Sequence, residues 1–254
     1  MLAGAWSGPA ELFAALASVP GLADFSIEII AAEVQTAFDE HEGGKRNHDL
    51  VIEGAASAGQ VVVCVEAKAG ETLGPTVAEQ EALRGEEAAR ERSTNAPERL
   101  RELVVTWTGQ SDLGGPSVKG LRYQLFTAIA GTVAEARSRE CSHAVLMIHD
   151  FLTDDRPTAD TRRALEQFAD VVFHGMNLPD EVHGPWCVEA PLPESVPGNA
   201  DVTFHLAHAV TDLRPRPSRT MRSGHQGAAR PAHGEAARAV EAPARSSTDS
   251  SMGP

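Results

Sequence analysis

Two acidic residues and one lysine lie at the ends of two neighbouring strand-like segments. Glu66 and Lys68 close the apolar run at residues 61–65, and Asp49 precedes the apolar residues 50–52. Lys68 is one of only three lysines among the 22 basic residues of the chain. Carboxylates beside a lysine can hold a divalent metal ion and stabilise charge on a phosphate. The residue types therefore predict a metal-dependent site for phosphodiester hydrolysis.

Strand geometry predicts how these side chains meet. Side chains at positions i and i+2 share a face of a strand, so Glu66 and Lys68 should project together. Segments 48–53 and 60–69 are rich in Val and Ile, and the small residues between them predict the turn of a hairpin. Such a hairpin would bring Asp49 alongside Glu66, so that two carboxylates converge on one point.

The rest of the pattern predicts an α/β protein with a mixed sheet. Residues 25–38 fit either a strand or a helical stripe, and that choice stays open. The other predicted elements are helices over 11–16, 77–92, 97–105, 117–139 and 157–172, and strands over 144–149, 186–188 and 202–210. Helices that alternate with strands are typical of the α/β class.

Charge and composition separate a body, residues 1–213, from a tail, residues 214–254. The net charge is −14, yet the tail has seven arginines against three acidic residues and almost no large apolar residue. Such a segment cannot bury enough surface to offset its ordering entropy, so we predict a disordered tail. It is either an arm that binds nucleic acid or a partner, or a dispensable extension.

The acidic body counts against non-specific affinity for nucleic acid, because phosphate binding normally depends on Lys and Arg. A nuclease of this charge would have to confine its positive charge to a cleft, or borrow it from metal ions or a partner. The three cysteines lie in apolar surroundings, as is typical of reduced thiols in a cytosolic protein. Neither a basic leader nor an apolar run of about 20 residues is present, so we expect a cytoplasmic protein with no membrane partner.

Asp49 followed by Glu66-x-Lys68 at the end of an apolar strand resembles the PD-(D/E)xK nuclease superfamily, and more specifically an uncharacterised bacterial branch of it. Segment 65–75 and the later Leu-Arg-Tyr-Gln-Leu at 121–125 add to the resemblance, which spans roughly residues 25–150. It implies a restriction-endonuclease-like fold, in which helices flank a mixed β-sheet. The proline of the superfamily name is absent, since His48 precedes Asp49.

The resemblance implies a role for each acidic residue of the site. Asp49 and Glu66 would be metal ligands, and Lys68 would be the catalytic lysine. An acid from the preceding element often joins such ligands, and Glu33 is the first candidate, with Glu28 as the second. Mg²⁺ would be the cofactor, and Mn²⁺ would substitute for it.

The helix after the site would add two further residues. Gln124 matches a glutamine that many superfamily members direct at the metal or the phosphate, and Arg122 would supply positive charge. A surface salt bridge or a helix cap is the competing account of both. Elsewhere, His205 and His208 lie in an alternating stretch that would direct their rings to opposite faces, so they should not share a metal.

These observations predict a metal-dependent nuclease that hydrolyses phosphodiester bonds in nucleic acid, DNA rather than RNA, in bacterial defence or repair. A homodimer or an operon-encoded partner protein fits this role. The alternative is a catalytically inactive nuclease-fold module or subunit that acts as an acidic mimic of nucleic acid. The acidic body motivates that alternative.

Overall fold

Six β-strands form one mixed sheet in the part of the chain that the structure describes. The computed structural model describes residues 10–41, 44–90, 96–110, 113, 115–153, 159–181, 184–196 and 201–214. The strands are β1 (Ser26–Thr36), β2 (Arg46–Ala56), β3 (Gly59–Lys68), β4 (His143–Leu152), β5 (Trp186–Glu189) and β6 (Thr203–Asp212). Their spatial order is β1-β2-β3-β4-β6-β5. The segment that fitted either a strand or a helix is therefore strand β1.

Helices cover both faces of this sheet. They are α1 (Ala10–Leu16), α2 (Val77–Arg90), α3 (Ala96–Thr108), α4 (Pro116–Lys119), α5 (Tyr123–Ser138) and α6 (Ala159–Val172), with a 3₁₀ turn at Pro20–Leu22. The predicted mixed α/β fold is confirmed. The predicted tail lies outside the described residues, apart from Arg214.

The direction of the strands creates an edge where polar residues can gather. Strands β1, β2 and β3 form an antiparallel meander, whereas β3, β4 and β6 run parallel, and β5 pairs antiparallel with β6. The carboxyl ends of the three parallel strands therefore lie at one edge, with Lys68 paired to Asp150 and Asp150 paired to Val210. Ligand sites of α/β proteins lie in crevices at such edges.

Alternation along β3 divides the core between the two faces of the sheet. Val62 and Cys64 belong to the cluster that includes residues of α2 to α6. Val63 belongs to the cluster on the other face, together with Leu12 and Leu16 of α1. Each of these side chains is almost fully buried, and such burial is worth about 1.5 to 3 kcal/mol for a large aliphatic residue. Packing on both faces fixes β3, and with it the residues at its end.

The prediction of one helix over 117–139 is wrong. The chain leaves α4 after Lys119 and enters α5 only at Tyr123. Between the two helices, the Leu121 carbonyl accepts a hydrogen bond from the Val77 N–H at 2.8 Å, and the Tyr123 N–H donates to the Pro75 carbonyl at 3.0 Å. These bonds tie the start of α5 to the start of α2. The backbone between α4 and α5 is hydrogen-bonded to residues 75–77, so it does not continue the helix.

Candidate active site

Glu66 is the centre of a buried group of polar side chains. Its Oε1 accepts hydrogen bonds from Lys68 Nζ at 2.6 Å and from Gln124 Nε2, and its Oε2 pairs with the guanidinium of Arg46. Only 4% of Glu66 is exposed. A buried carboxylate without partners would be strongly destabilising, so the three nitrogen donors from β2, β3 and α5 account for its presence.

Asp49 lies at the point where the ladder between β2 and β3 ends. The last paired residues are Leu50 and Val65. Beyond them, the Asp49 carboxylate replaces a backbone carbonyl and accepts a hydrogen bond from the Ala67 N–H at 2.8 Å. The structure thus attaches Asp49 to the residue between Glu66 and Lys68. We call Arg46, Asp49, Glu66, Lys68 and Gln124 the Glu66 cluster.

Arg46 is the member of the cluster that the sequence did not predict. Glu53 of β2 pairs at 2.6 Å with Arg139, the residue that follows α5, so Glu53 faces α5. Regular alternation would turn Arg46, seven residues away, to the opposite face. Instead, its side chain packs beside Gly131 of α5. The irregularity of β2 at Asp49 lies between Glu53 and Arg46, and it turns Arg46 towards Glu66. No pattern in the sequence predicts this change of face.

Lys68 connects the cluster to a cavity of about 290 Å³ at the carboxyl ends of β3 and β4. The lysine is only 6% exposed, and its burial lowers the pKa of the ammonium group, whereas Glu71 and Asp49 act in the opposite direction. The charged residues that line this cavity are Lys68, Glu71, Arg122, Asp150 and Asp160. Lys68, whose ammonium group is hydrogen-bonded to Glu66, therefore lies in the wall of this cavity.

Arg122 lines the same cavity as Lys68. It lies directly before α5, and its Nη1 donates to the Gly74 carbonyl at 2.8 Å. The guanidinium therefore has a structural contact in the loop that precedes α2, as well as a place in the cavity wall. Gln124 contacts Glu66 itself, whereas Arg122 shares only the wall of the cavity with Lys68.

Glu33, the first candidate for a third acid, lies in β1 and is exposed. It adopts a positive φ of 54° in β1, a conformation that is strained for a residue with a side chain. Its carboxylate accepts a hydrogen bond from Asn47 Nδ2 at 2.6 Å. The second candidate, Glu28, is exposed at an irregularity of β1. In the part of the chain that the structure describes, no three His, Cys, Asp or Glu residues form a group that could hold a metal.

Asp150 is a second buried acid, and the sequence patterns considered above did not predict it. It pairs with Lys68 across β3 and β4, is only 5% exposed and lines the cavity. Its carboxylate accepts hydrogen bonds from His208 Nε2 at 3.0 Å and from Thr161 Oγ1 at 3.3 Å. The sequence does contain an indication of this acid, because Asp150 follows the apolar residues of β4 as Glu66 follows those of β3.

The two histidines of β6 face opposite ways, as predicted. His208 contacts Asp150, whereas His205 Nε2 lies 3.1 Å from His143 Nδ1. Burial and the neighbouring His143 lower the pKa of His205 to about 4. The two rings therefore do not converge on one point.

Comparison with known proteins gives a family for this chain. A family model described as a domain of unknown function, DUF6946, matches residues 1–201. The chain belongs to this family. No curated protein and no solved structure shows significant similarity to the chain. The match includes every residue of the Glu66 cluster and the lining of the adjacent cavity.

Among the described residues, no helix is both long enough and apolar enough to cross a membrane.

Proposed function

We propose that this protein is a Mg²⁺-dependent nuclease that hydrolyses phosphodiester bonds in DNA. The observation that carries the proposal is the contact between Lys68 and Glu66, whose backbone neighbour Ala67 is bound by the Asp49 carboxylate. All three predicted residues thus gather at the end of β3, beside a cavity. The meander β1-β2-β3 followed by helices and the parallel strand β4 also agrees with the restriction-endonuclease-like fold that the resemblance implies.

The carboxylates of Asp49 and Glu66 are the type of donor that suits Mg²⁺, which proteins usually hold through one or two carboxylates together with water and substrate phosphate. Asp49 and Glu66 supply two carboxylates from adjacent strands. When bound, the ion would neutralise phosphate charge and lower the pKa of an attacking water. Both oxygens of Glu66 have nitrogen partners, so Glu66 would exchange at least one of these partners for the ion.

The other polar residues have roles that follow from their contacts. Lys68 is a compact cation that can stabilise charge on the phosphate oxygens as the bond to the leaving oxygen breaks. Gln124 donates to Glu66 Oε1 and so fixes the orientation of that carboxylate. Arg122, in the wall of the cavity, adds a second positive charge on the side of the substrate.

We place this nuclease in bacterial defence or repair, where it would act as a homodimer or with an operon-encoded partner.

The nuclease proposal is tested with purified protein on single-stranded, linear and plasmid DNA in the presence of Mg²⁺ or Mn²⁺. We expect Asp49→Asn, Glu66→Gln and Lys68→Met each to reduce cleavage on the order of 10²-fold or more. Lys119→Met is the matched control, because Lys119 is an exposed lysine that pairs with Glu81. Cleavage that persists in all three site variants would refute the assignment.

A catalytically inactive module is the second candidate, and the saturation of Glu66 by Arg46, Lys68 and Gln124 favours it. Such a module would neither bind a divalent metal at Glu66 nor hydrolyse any polynucleotide. Calorimetric titration with Mn²⁺ separates the two candidates. Heat of binding that disappears in Glu66→Gln supports the nuclease, whereas absence of both binding and cleavage in the wild type supports the inactive module.

A further inference from the structure

Arg46 also lines a groove of about 420 Å³ that is distinct from the cavity at Lys68. Four cationic residues line this groove, together with two aromatic side chains. They are Lys45, Arg46, Arg84, Arg99, Phe38 and Tyr123, and we call this site the basic groove. Among the described residues, no acidic side chain lines it. A chain with a net charge of −14 thus concentrates cations at one place.

The acids that neutralise these cations lie outside the lining of the groove. Asp39 pairs with Arg99 Nε at 2.5 Å, and Glu87 pairs with Arg84 Nη1 at 2.6 Å. Lys45 is exposed at the groove. The described side chains that an anion in the groove would contact therefore include cations and no carboxylate.

The aromatic side chains give the basic groove a second property. Phe38 and Tyr123 are both partly buried, and the Arg99 guanidinium carbon lies 4.7 Å from the centre of the Phe38 ring. Cations interleaved with aromatic rings are typical of proteins that bind single-stranded nucleic acid, because the cations contact phosphates and the rings stack on bases. Bases in a duplex are already stacked on each other, so they cannot use such rings.

We propose that the basic groove binds a single-stranded segment of nucleic acid. Arg46 joins the two sites, since its side chain lines the groove while its guanidinium pairs with Glu66. A strand bound in the groove is thereby led to the Glu66 cluster. The assignment of the strand as substrate rests on the proposed nuclease function, whereas binding itself does not.

The test measures binding of a fluorescent oligothymidylate by anisotropy in EDTA, which prevents metal-dependent cleavage. The double variant Lys45→Gln/Arg84→Gln is compared with the double variant Arg90→Gln/Lys119→Gln. The second pair removes the same charge from exposed positions, one of them on the same helix as Arg84. Circular dichroism confirms folding of both proteins.

We expect the groove variant to bind about tenfold more weakly, and the control variant to stay within about twofold of the wild type. The slope of log affinity against log salt should also fall by about 1.4 in the groove variant, at about 0.7 for each phosphate contact to a single strand. Equally weak binding by both variants would contradict the proposal that the basic groove binds a single strand. So would tighter binding of the wild type to a hairpin duplex, or no binding by the wild type at all.

Activity assays separate the two proposals. If the variants bind as expected but the wild type cleaves no strand in Mg²⁺ or Mn²⁺, the nuclease proposal is wrong and the proposal for the basic groove stands. If the groove variant cleaves a subsaturating single strand at an unchanged rate, the proposal for the basic groove is wrong and the nuclease proposal stands.

Discussion

The balance of charge around one carboxylate decides what the Glu66 cluster can do. Glu66 is buried against two cations, Arg46 and Lys68. Asp49 supplies the second negative charge of the cluster: burial lowers the pKa of Arg46, and the Asp49 carboxylate acts in the opposite direction. A divalent ion and the Arg46 guanidinium would compete for the same oxygen of Glu66.

This competition leads to a prediction for Arg46. We expect Arg46→Gln to bind Mn²⁺ about tenfold more tightly than the wild type, because unit charges about 4 Å apart interact by about 1 to 4 kcal/mol in a partly hydrated site. Isothermal titration calorimetry measures the affinity, and the double variant Arg46→Gln/Glu66→Gln tests whether Glu66 is the ligand. Weaker binding by Arg46→Gln would show that the guanidinium supports the metal site instead of blocking it.

The Glu66 cluster depends on the close packing of helix α5 against strand β2. A Cβ atom at Gly131 would lie 2.7 Å from Arg46 Cγ and 2.9 Å from His48 Nε2. Glycine at the centre of a helix usually destabilises it by about 1 kcal/mol relative to alanine. The close contact with β2 explains why a glycine is nevertheless present there.

Gly131→Ala and Gly85→Ala should therefore change stability in opposite directions. Gly85 is exposed in α2, and a Cβ atom there would meet nothing within 4 Å. We expect Gly131→Ala to lower the free energy of unfolding by about 1 to 3 kcal/mol through overpacking, and Gly85→Ala to raise it by about 0.5 to 1 kcal/mol. Urea denaturation of both variants measures the difference. A stabilising Gly131→Ala would mean that the contact between α5 and β2 is looser than described.

The elements were more predictable than their contacts. Short runs of Val and Ile revealed β3 and β4 because burial on both faces demands apolar residues throughout. The interruption between α4 and α5 escaped prediction, since the bonds that cause it come from residues 75–77, far away in sequence. Likewise, Glu66 and Lys68 could be paired from the alternation of one strand, whereas the position of Arg46 depends on an irregularity that involves two strands.

At the scale of the whole molecule, charge is distributed so that one groove departs from the acidic average. The net charge of −14 repels polyanions at long range, and salt screens that repulsion beyond about 10 Å. The basic groove acts within that distance, where its cations are closer to a bound strand than most of the acidic surface. Local arrangement, therefore, and not total charge, would govern binding of a strand.

Global stability should depend on the buried histidine His205. Its pKa is about 4 in the folded protein against 6.5 as the ordinary value, because burial and His143 disfavour the charged form. Above pH 6.5 the imidazole is neutral in both states, so the folded state bears no penalty. As the pH falls from 6.5 towards 4, the unfolded chain takes up a proton that the folded protein does not, and stability is lost.

We expect this loss to reach about 2 kcal/mol at pH 5, at 1.36 kcal/mol for each unit of pH below 6.5. Other groups titrate over the same range, so the prediction concerns a difference between proteins. Between pH 7.5 and pH 5, the wild type should lose about 2 kcal/mol more free energy of unfolding than His205→Phe, measured by urea denaturation. His174→Asn, which removes an exposed histidine at a positive φ that asparagine tolerates, should follow the wild type. If His205→Phe and the wild type lose the same stability, burial of His205 does not penalise its protonated form in the folded protein, and the prediction is wrong.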